Sequence, residues 1–211
     1  PQSEVVVDRY RVARTWLYRG LTDLYFAFDN EDPAFEYNAR FSEIMGLEKC
    51  LKAVLLFHRA EEYEGLAHTE AREALNAMAR KLGHQFERMI RQVAEQGVGD
   101  VETIRGQDFD GYKGEDLIPA ITGGYQETRY PVPRPVSDDF PVPDSEGWTR
   151  DPLSSSGITR FIFALCGACI RHLDGPAELS DIRRRFRETY GHRTSLERFL
   201  GVFPEARERP P

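Results

Sequence analysis

The chain has 211 residues, a formal net charge of −7 and only three cysteines. This length is typical of one domain, the cysteines are too few for a disulfide framework, and an acidic chain does not bind nucleic acid through a uniformly basic surface. No uncharged apolar run approaches the roughly 20 residues that cross a bilayer. The sequence therefore predicts a soluble, cytoplasmic protein that has no membrane partner.

The N-terminal part of the chain predicts one amphipathic helix over residues 8–28. Ala13, Leu17 and Leu24 share one face of it, at the three- and four-residue spacing of a buried helix stripe. The arginines of this helix fall largely outside that face, and they are Arg9, Arg11, Arg14 and Arg19. The sequence DNEDP at 29–33 ends the helix, because the residue before a proline is disfavoured in the α region.

Residues 35–96 predict two long amphipathic helices that form an antiparallel hairpin around a polar turn at 63–69. The core stripe of the first helix includes Ile44, Leu47, Leu51, Val54 and Leu55. The stripe of the second helix is continuous and consists of Leu75, Met78, Ala79, Leu82, Phe86, Met89, Ile90 and Val93. Because both stripes keep a helical period, we expect this hairpin to organise the rest of the chain.

The middle of the chain is less regular. Residues 97–115 contain scattered glycines without a sustained period and predict a loop, and a helix resumes at Asp116. Six prolines between residues 130 and 156 oppose both helix and sheet. This segment is therefore interpreted as an extended connector that lies on or near the bundle surface.

Two or three helices are predicted in the C-terminal part. The first is capped by Ser154–Ser156 and ended by Gly175-Pro176, the second ends at Gly191, and a short third one follows Thr194 with a capping box to Glu197. The whole chain therefore predicts an all-α, up-and-down helical bundle. Its parts are a bundle core at 1–129, the connector at 130–156, helices at 157–203 that complete the same domain, and a disordered tail at 204–211.

A basic strip lies opposite the core stripe of the helix predicted over residues 69–96. At 100° per residue, Arg80, His84, Arg88 and Arg91 fall within about a quarter of the helix circumference. Guanidinium groups match phosphate geometry, so these four residues are candidates for binding a nucleotide or another phosphate. The alternative is a solvated helix face whose arginines pair with neighbouring glutamates.

Three segments carry a family resemblance. GLEKCLKAVLLF at 46–57, ALNAMARKLGHQFERMI at 74–90 and YQETRYP at 125–131 resemble segments of the HEPN-like (higher eukaryote and prokaryote nucleotide-binding) domains. The resemblance implies a helical bundle, often dimeric, in a superfamily of ribonucleases, toxins, nucleotide-binding modules and inactive structural members. It also adds Arg129, in the third segment, to the ligand-binding candidates.

The ribonucleases of that superfamily use an arginine followed four to six residues later by a histidine, which transfers a proton while the arginine steadies the phosphate. Arg187 and His192 have this spacing. Two features depart from the pattern: the residue after the arginine is the acidic Glu188, and the pair falls outside the HEPN-like segments. We treat both residues as candidate catalytic residues.

The remaining reactive side chains favour structural roles. Cys166 and Cys169 have dithiol spacing, but no second cysteine pair accompanies them and the helical stripe places Cys169 in the core. His58 and His172 also fall on apolar faces. No histidines occur at the i, i+4 spacing of a helical metal site, so no metal and no cofactor are predicted.

These observations leave two classes of function. The first, which the departures from the Arg-to-His pattern favour, is an HEPN-like module without catalysis of its own that binds a nucleotide, RNA or a protein such as a nucleotidyltransferase-like partner. The second is a metal-independent ribonuclease or the toxin of a toxin–antitoxin pair, using Arg187 and His192 or, less favourably, His84. A homodimer is expected in either case. The phosphate-loop, dinucleotide and serine-hydrolase motifs are absent.

Overall fold

The computed structural model describes residues 7–30, 36–129 and 152–207, without the side chains at 36–37 and 126–129. Within these ranges the chain forms nine α-helices, three short 3-10 helices and one small β-hairpin. The prediction of an all-α helical bundle is therefore confirmed. None of the helices in these ranges is long and apolar enough to cross a membrane.

The helices are α1 (Arg9–Asp29), α2 (Glu36–Phe57), α3 (His68–Leu82), α4 (Phe86–Glu95), α5 (Val101–Gly106), α6 (Gly114–Arg129), α7 (Ser156–Ala177), α8 (Ser180–Tyr190) and α9 (Ser195–Val202). Between α5 and α6, strands β1 (Asp108–Phe109) and β2 (Tyr112–Lys113) pair antiparallel, with Asp108 opposite Lys113. The 3-10 helices are Ala60–Glu62, Pro152–Ser154 and Pro204–Ala206.

Helices α1 and α2 form the most extensive contact among the described elements. Their backbones meet at two glycines, where a Cβ on Gly20 would lie 3.1 Å from the carbonyl oxygen of Gly46 and a Cβ on Gly46 would lie 2.8 Å from the Leu24 side chain. The pair predicted to organise the chain, at residues 35–96, is therefore not the principal one. A helical period identifies the buried face of a helix but not the helix that covers it.

Helix α7 completes the core and packs against α1, α2, α5 and α6. It carries fully buried Phe161 and Leu173. Cys50, Cys166 and Cys169 are free and buried, and burial raises the pKa of the Cys166 and Cys169 thiols. These thiols pack as apolar side chains, in agreement with the structural interpretation of the dithiol spacing.

The single helix predicted over residues 69–96 is wrong, because the chain turns at Gly83. This residue has φ 59° and ψ −140°, a backbone conformation that residues with a Cβ atom rarely adopt. The turn separates α3 from α4. The predicted stripe is nevertheless buried on both sides of it: Phe86 and Val93 lie in the main core, and Met78 lies in a smaller cluster with Val12 and Leu56.

The loop predicted over residues 97–115 is also wrong, since α5 and the β-hairpin form there and α6 begins at Gly114. Three residues with positive φ allow these short elements: Asp100 (φ 68°) precedes α5, and Asp110 (φ 56°) and Gly111 (φ 87°) make the hairpin turn. Of the connector predicted at 130–156, residues 130–151 lie outside the described residues. The following 3-10 helix buries Leu153, which packs against Gly124 of α6.

The C-terminal helices differ from prediction at their ends. Helix α7 continues through Gly175-Pro176 to Ala177 and ends where Glu178 takes φ 48°. The capping box does not form: the Thr194 side chain accepts no cap hydrogen bond, and Glu197 instead binds Arg187.

The disordered tail predicted from residue 204 is ordered in its first part. Pro204–Ala206 form a 3-10 helix and Ala206 is buried. The carbonyl oxygen of Glu205 accepts a hydrogen bond of 2.8 Å from Arg183 Nε. Residues 208–211 lie outside the described residues.

Candidate functional site

The predicted basic strip is divided by the turn between α3 and α4. Arg80 is exposed in the last turn of α3, and Arg88 and Arg91 are exposed on α4. Arg88 Nη1 donates to Gln85 Oε1 at 3.4 Å, and Arg91 Nη2 lies 3.5 Å from Glu87 Oε1. These weak surface contacts leave the arginines accessible, so phosphate binding by them stays a prediction.

His84, the fourth member of the strip, contacts groups on α2 and α6 instead. Its Nδ1 lies 2.7 Å from Glu48 Oε2, its Nε2 lies 2.7 Å from the Tyr125 hydroxyl, and the two rings stack with centroids 3.9 Å apart. A carboxylate only accepts hydrogen bonds, so Nδ1 carries a proton in this arrangement and donates it to Glu48. The turn is thereby fixed to two helices.

Glu48 is the centre of this cluster, which we call the His84 network. Its other oxygen, Oε1, accepts a hydrogen bond of 2.6 Å from Lys52 Nζ, and both side chains are only 5% exposed. A buried carboxylate is costly unless it is paired on both oxygens. Lys52 Nζ also lies 6.0 Å from the Trp16 ring centroid. Every polar group of the network with a described side chain has a partner.

The other predicted site residues are dispersed. Arg187 and His192 are both exposed, at the end of α8 and in the turn after it. Arg187 Nη2 binds Glu197 Oε1 at 2.8 Å, and no hydrogen bond joins the two members of the pair in the described structure. The side chain of Arg129 lies outside the described residues.

A second charged feature lies along α1 and was missed as a site by the sequence analysis. Two adjoining cavities share Thr15 and Arg19, and we call them together the α1 groove. The first, of about 370 Å³, lies against α8, and its charged and aromatic lining is Arg11, Arg14, Tyr18, Arg19, Asp181 and Arg185. The second, of about 350 Å³, lies against α3, and its polar and aromatic lining is Thr15, Trp16, Arg19, Lys49, His68, Arg72 and Asn76.

The α1 groove is strongly cationic although the chain carries a net charge of −7. Six arginine and lysine side chains line it, against one carboxylate, that of Asp181. This carboxylate binds Arg184 at 2.9 Å, and Lys49 pairs with Asp23. None of the five groove arginines has an ion-pair partner in the part of the chain that the structure describes. Arg14 donates to the Ala177 carbonyl oxygen at 3.3 Å, and the other four are Arg11, Arg19, Arg72 and Arg185.

The groove also contains two half-buried aromatic rings. The Tyr18 hydroxyl lies 3.1 Å from Thr189 Oγ1, and its ring meets the edge of Phe186. The guanidinium carbon of Arg185 lies 5.9 Å from the Tyr18 centroid. Trp16 is held between the two hydrophobic clusters. The rings are therefore supported from the core while cations surround them.

The spacing of charged and polar residues in the sequence indicated part of the α1 groove and part of the His84 network. Thr15 follows Arg11 by four residues and precedes Arg19 by four, which places these polar groups on one face of α1. Glu48 and Lys52 have the same spacing within the stretch GLEKCLKAVLLF at 46–57. Tyr125 begins the third HEPN-like segment, but its contact with His84 was not predicted because it spans 41 residues of chain.

No protein-family model, curated protein or solved structure matches this chain. The resemblance to HEPN-like domains therefore rests on the three sequence segments alone. Among the described residues, no group of three or more histidine, cysteine or acidic side chains is placed to hold a metal ion. The α1 groove and the His84 network are the two candidate functional sites.

Proposed function

We propose that the protein is a helical module that binds RNA through the α1 groove without catalysing its cleavage. The observation that carries this proposal is that the five groove arginines have no ion-pair partner among the described residues. The chain has 35 acidic residues that could supply carboxylate partners. A cationic groove left unpaired on an acidic protein is suited to an anionic ligand.

The physical basis of binding is phosphate recognition by guanidinium groups. Each can donate two parallel hydrogen bonds to a phosphate, and binding releases counterions from the nucleic acid. The negative charge of the rest of the surface repels polyanions elsewhere. A ligand is therefore directed to the groove, and affinity is expected to fall steeply with salt.

The resemblance to HEPN-like domains supports the same class of ligand. Under this proposal, Arg80 and Arg88 extend the contact beyond the groove. Assembly as a homodimer, association with a nucleotidyltransferase-like protein and a cytoplasmic location belong to the proposal and come from the sequence.

A second candidate, a metal-independent ribonuclease, is favoured by one observation. Glu48 orients His84 in the way that a carboxylate orients a general acid–base imidazole. Against it, Tyr125 lies against Nε2, the nitrogen that would meet a substrate. The Arg187 and His192 pair is the other candidate for this activity.

The proposal is tested by binding of a short fluorescent RNA to purified protein. The variant Arg19→Ala with Arg185→Ala should weaken binding by roughly a hundredfold or more, because each substitution removes a charge-assisted contact with the ligand of about 1.5–3 kcal/mol. The matched control is Arg59→Ala, which removes an arginine that is paired with Glu62 and lines neither cavity of the groove. Wild-type affinity in the double variant would contradict the proposal.

The same purified protein distinguishes a ribonuclease from a module that only binds RNA. Incubation of RNA with chelator and wild-type protein should leave the RNA intact. Cleavage that is abolished by His84→Ala or by His192→Ala, with thermal stability retained, would establish the ribonuclease instead. Loss of binding in Arg80→Ala with Arg88→Ala, but not in the groove variant, would move the site to the basic strip.

A further inference from the structure

The two cavities of the α1 groove repeat one arrangement. Each is about the size of a small ligand site, with volumes of about 370 and 350 Å³. One aromatic ring lines each cavity, Tyr18 in the first and Trp16 in the second. Thr15 and Arg19 line both, so a hydroxyl and a guanidinium group stand at the junction between them.

The shared pair is suited to a phosphate. Arg19 has no ion-pair partner in the described chain and is exposed. The Thr15 hydroxyl donates to the Arg11 carbonyl oxygen at 2.8 Å, and on rotation away from that carbonyl it would donate to a phosphate oxygen instead. Thr15 and Arg19 lie four residues apart, about one turn of α1. A phosphodiester bound between them would direct one of its two substituents into each cavity.

The rings are suited to bases. Tyr18 is anchored by its hydroxyl and by Phe186, so it can be stacked upon without first being ordered. Arg185 beside it adds a cation to that platform. In the second cavity, Asn76 supplies an amide with both donors and an acceptor for the edge of a base.

We infer that the α1 groove holds a dinucleotide step of single-stranded RNA, with one base in each cavity and the connecting phosphate at Thr15 and Arg19. This inference rests on the proposed function and specifies its ligand. A duplex does not satisfy the site, because its bases are paired and stacked inside the helix and cannot reach the two rings.

The test compares three ligands on the full chain: a single-stranded oligoribonucleotide, the same oligonucleotide annealed to its complement, and inorganic polyphosphate of similar charge. The single strand should bind at least tenfold more tightly than either. Tyr18→Leu should weaken single-strand binding by roughly 5- to 150-fold, the range for losing one base–aromatic stack, and leave polyphosphate binding unchanged.

The matched control is Tyr18→Phe, which keeps the ring and loses only the hydroxyl contact with Thr189. It should bind the single strand within about threefold of wild type. A second measurement does not depend on the folding of a Tyr18 variant. The chain has two tryptophans, so Trp148→Phe leaves Trp16 as the only one, and the single strand should quench its fluorescence while polyphosphate should not.

The outcomes distinguish the inference from the proposal on which it rests. Equal binding of all three ligands, with Tyr18→Leu indistinguishable from wild type and Trp16 unquenched, would overturn the two-base site and leave a groove that binds phosphate chains. Absence of binding to any of the three would overturn both.

Discussion

The α1 groove and the His84 network are built from similar residues, yet their partners differ. In the network, one carboxylate oxygen of Glu48 binds Lys52 and the other binds His84. The side chains of Glu48 and Lys52 are almost completely buried. In the groove, Arg19 and Arg185 are exposed and form no ion pair with any carboxylate of the described residues. Polar groups that satisfy one another hold elements together, whereas unpaired cations remain available for a ligand.

The largest effect expected from this comparison is on stability. Glu48→Ala leaves the buried Lys52 ammonium without its counter-charge, and it should lower the free energy of unfolding by about 3–5 kcal/mol. Glu73→Ala is the matched control, since Glu73 is exposed on α3 and should change stability by less than about 0.5 kcal/mol. Urea denaturation measures both. Equal stabilities of the two variants would mean that the network does not join α2 to its neighbours.

Three consecutive arginines of α8 sharpen the comparison within one helix. Arg183 is buried and binds Asp174 at 2.5 Å, Arg184 is exposed and paired, and Arg185 is exposed in the groove. Arg183→Ala should lower the free energy of unfolding by about 3–5 kcal/mol, because it removes the guanidinium group that binds the Asp174 carboxylate. The same change at 184 or 185 should cost less than about 0.5 kcal/mol. Thermal unfolding that ranks the three differently would contradict this assignment of roles.

The contact between His58 and His172 predicts that the stability of the fold depends on pH. His58 Nε2 and His172 Nε2 lie 2.8 Å apart, so at least one ring is neutral and accepts the hydrogen bond. Burial lowers the pKa of both imidazoles, and the nearby Arg9 guanidinium lowers that of His58 further. The unfolded chain then binds more protons than the folded chain below about pH 6.5, so stability should fall as pH decreases through that value.

This prediction is checked by thermal unfolding between pH 8 and pH 5. Carboxylates also titrate towards the acid end, so the informative quantity is the difference between wild type and the variant His58→Gln with His172→Gln. The variant should lose less stability than wild type over this interval. A parallel pH dependence in both proteins would rule out the histidine pair as a contributor.

The smallest effect is expected in the basic strip. Arg91 and Glu87 are 63% and 46% exposed and lie 3.5 Å apart, so solvent screens their attraction. Arg91→Ala should change the free energy of unfolding by less than about 0.5 kcal/mol. A loss above about 1 kcal/mol in chemical denaturation would show that the strip has a structural role that its exposed contacts do not reveal.

The fold class was predictable because helical periodicity depends on neighbours in the sequence. Helix α1 is predicted to within one residue at each end, since Asp8 caps it through a hydrogen bond of 2.7 Å to Arg11 N and its stripe has no interruption. The turn at Gly83 was missed because the apolar stripe runs through it without a change of phase. Helix α5, only six residues long, is too short for a period to be recognised.

The candidate sites were less predictable because they depend on contacts between distant residues. The sequence analysis placed the arginines of α1 away from the core, which is correct for Arg11 and Arg19. It did not predict that Arg72 of α3 and Arg185 of α8 would join them. His84 was assigned to an exposed strip, since nothing local indicates that Glu48 and Tyr125 lie beside it. Binding by Arg80, Arg88, Arg91 and Arg129 and catalysis by Arg187 and His192 stay predictions.

The central claim, that the unpaired arginines of the α1 groove bind RNA, is tested most directly by the salt dependence of binding. The logarithm of the association constant of a single-stranded RNA should fall linearly with the logarithm of salt concentration, with a slope of about −0.7 for each phosphate contacted. In the variant Arg19→Ala with Arg185→Ala the slope should be shallower by about 1.4, while Arg59→Ala, which removes an arginine outside the groove lining, should keep the wild-type slope. Identical slopes and affinities in the double variant and wild type would contradict the claim.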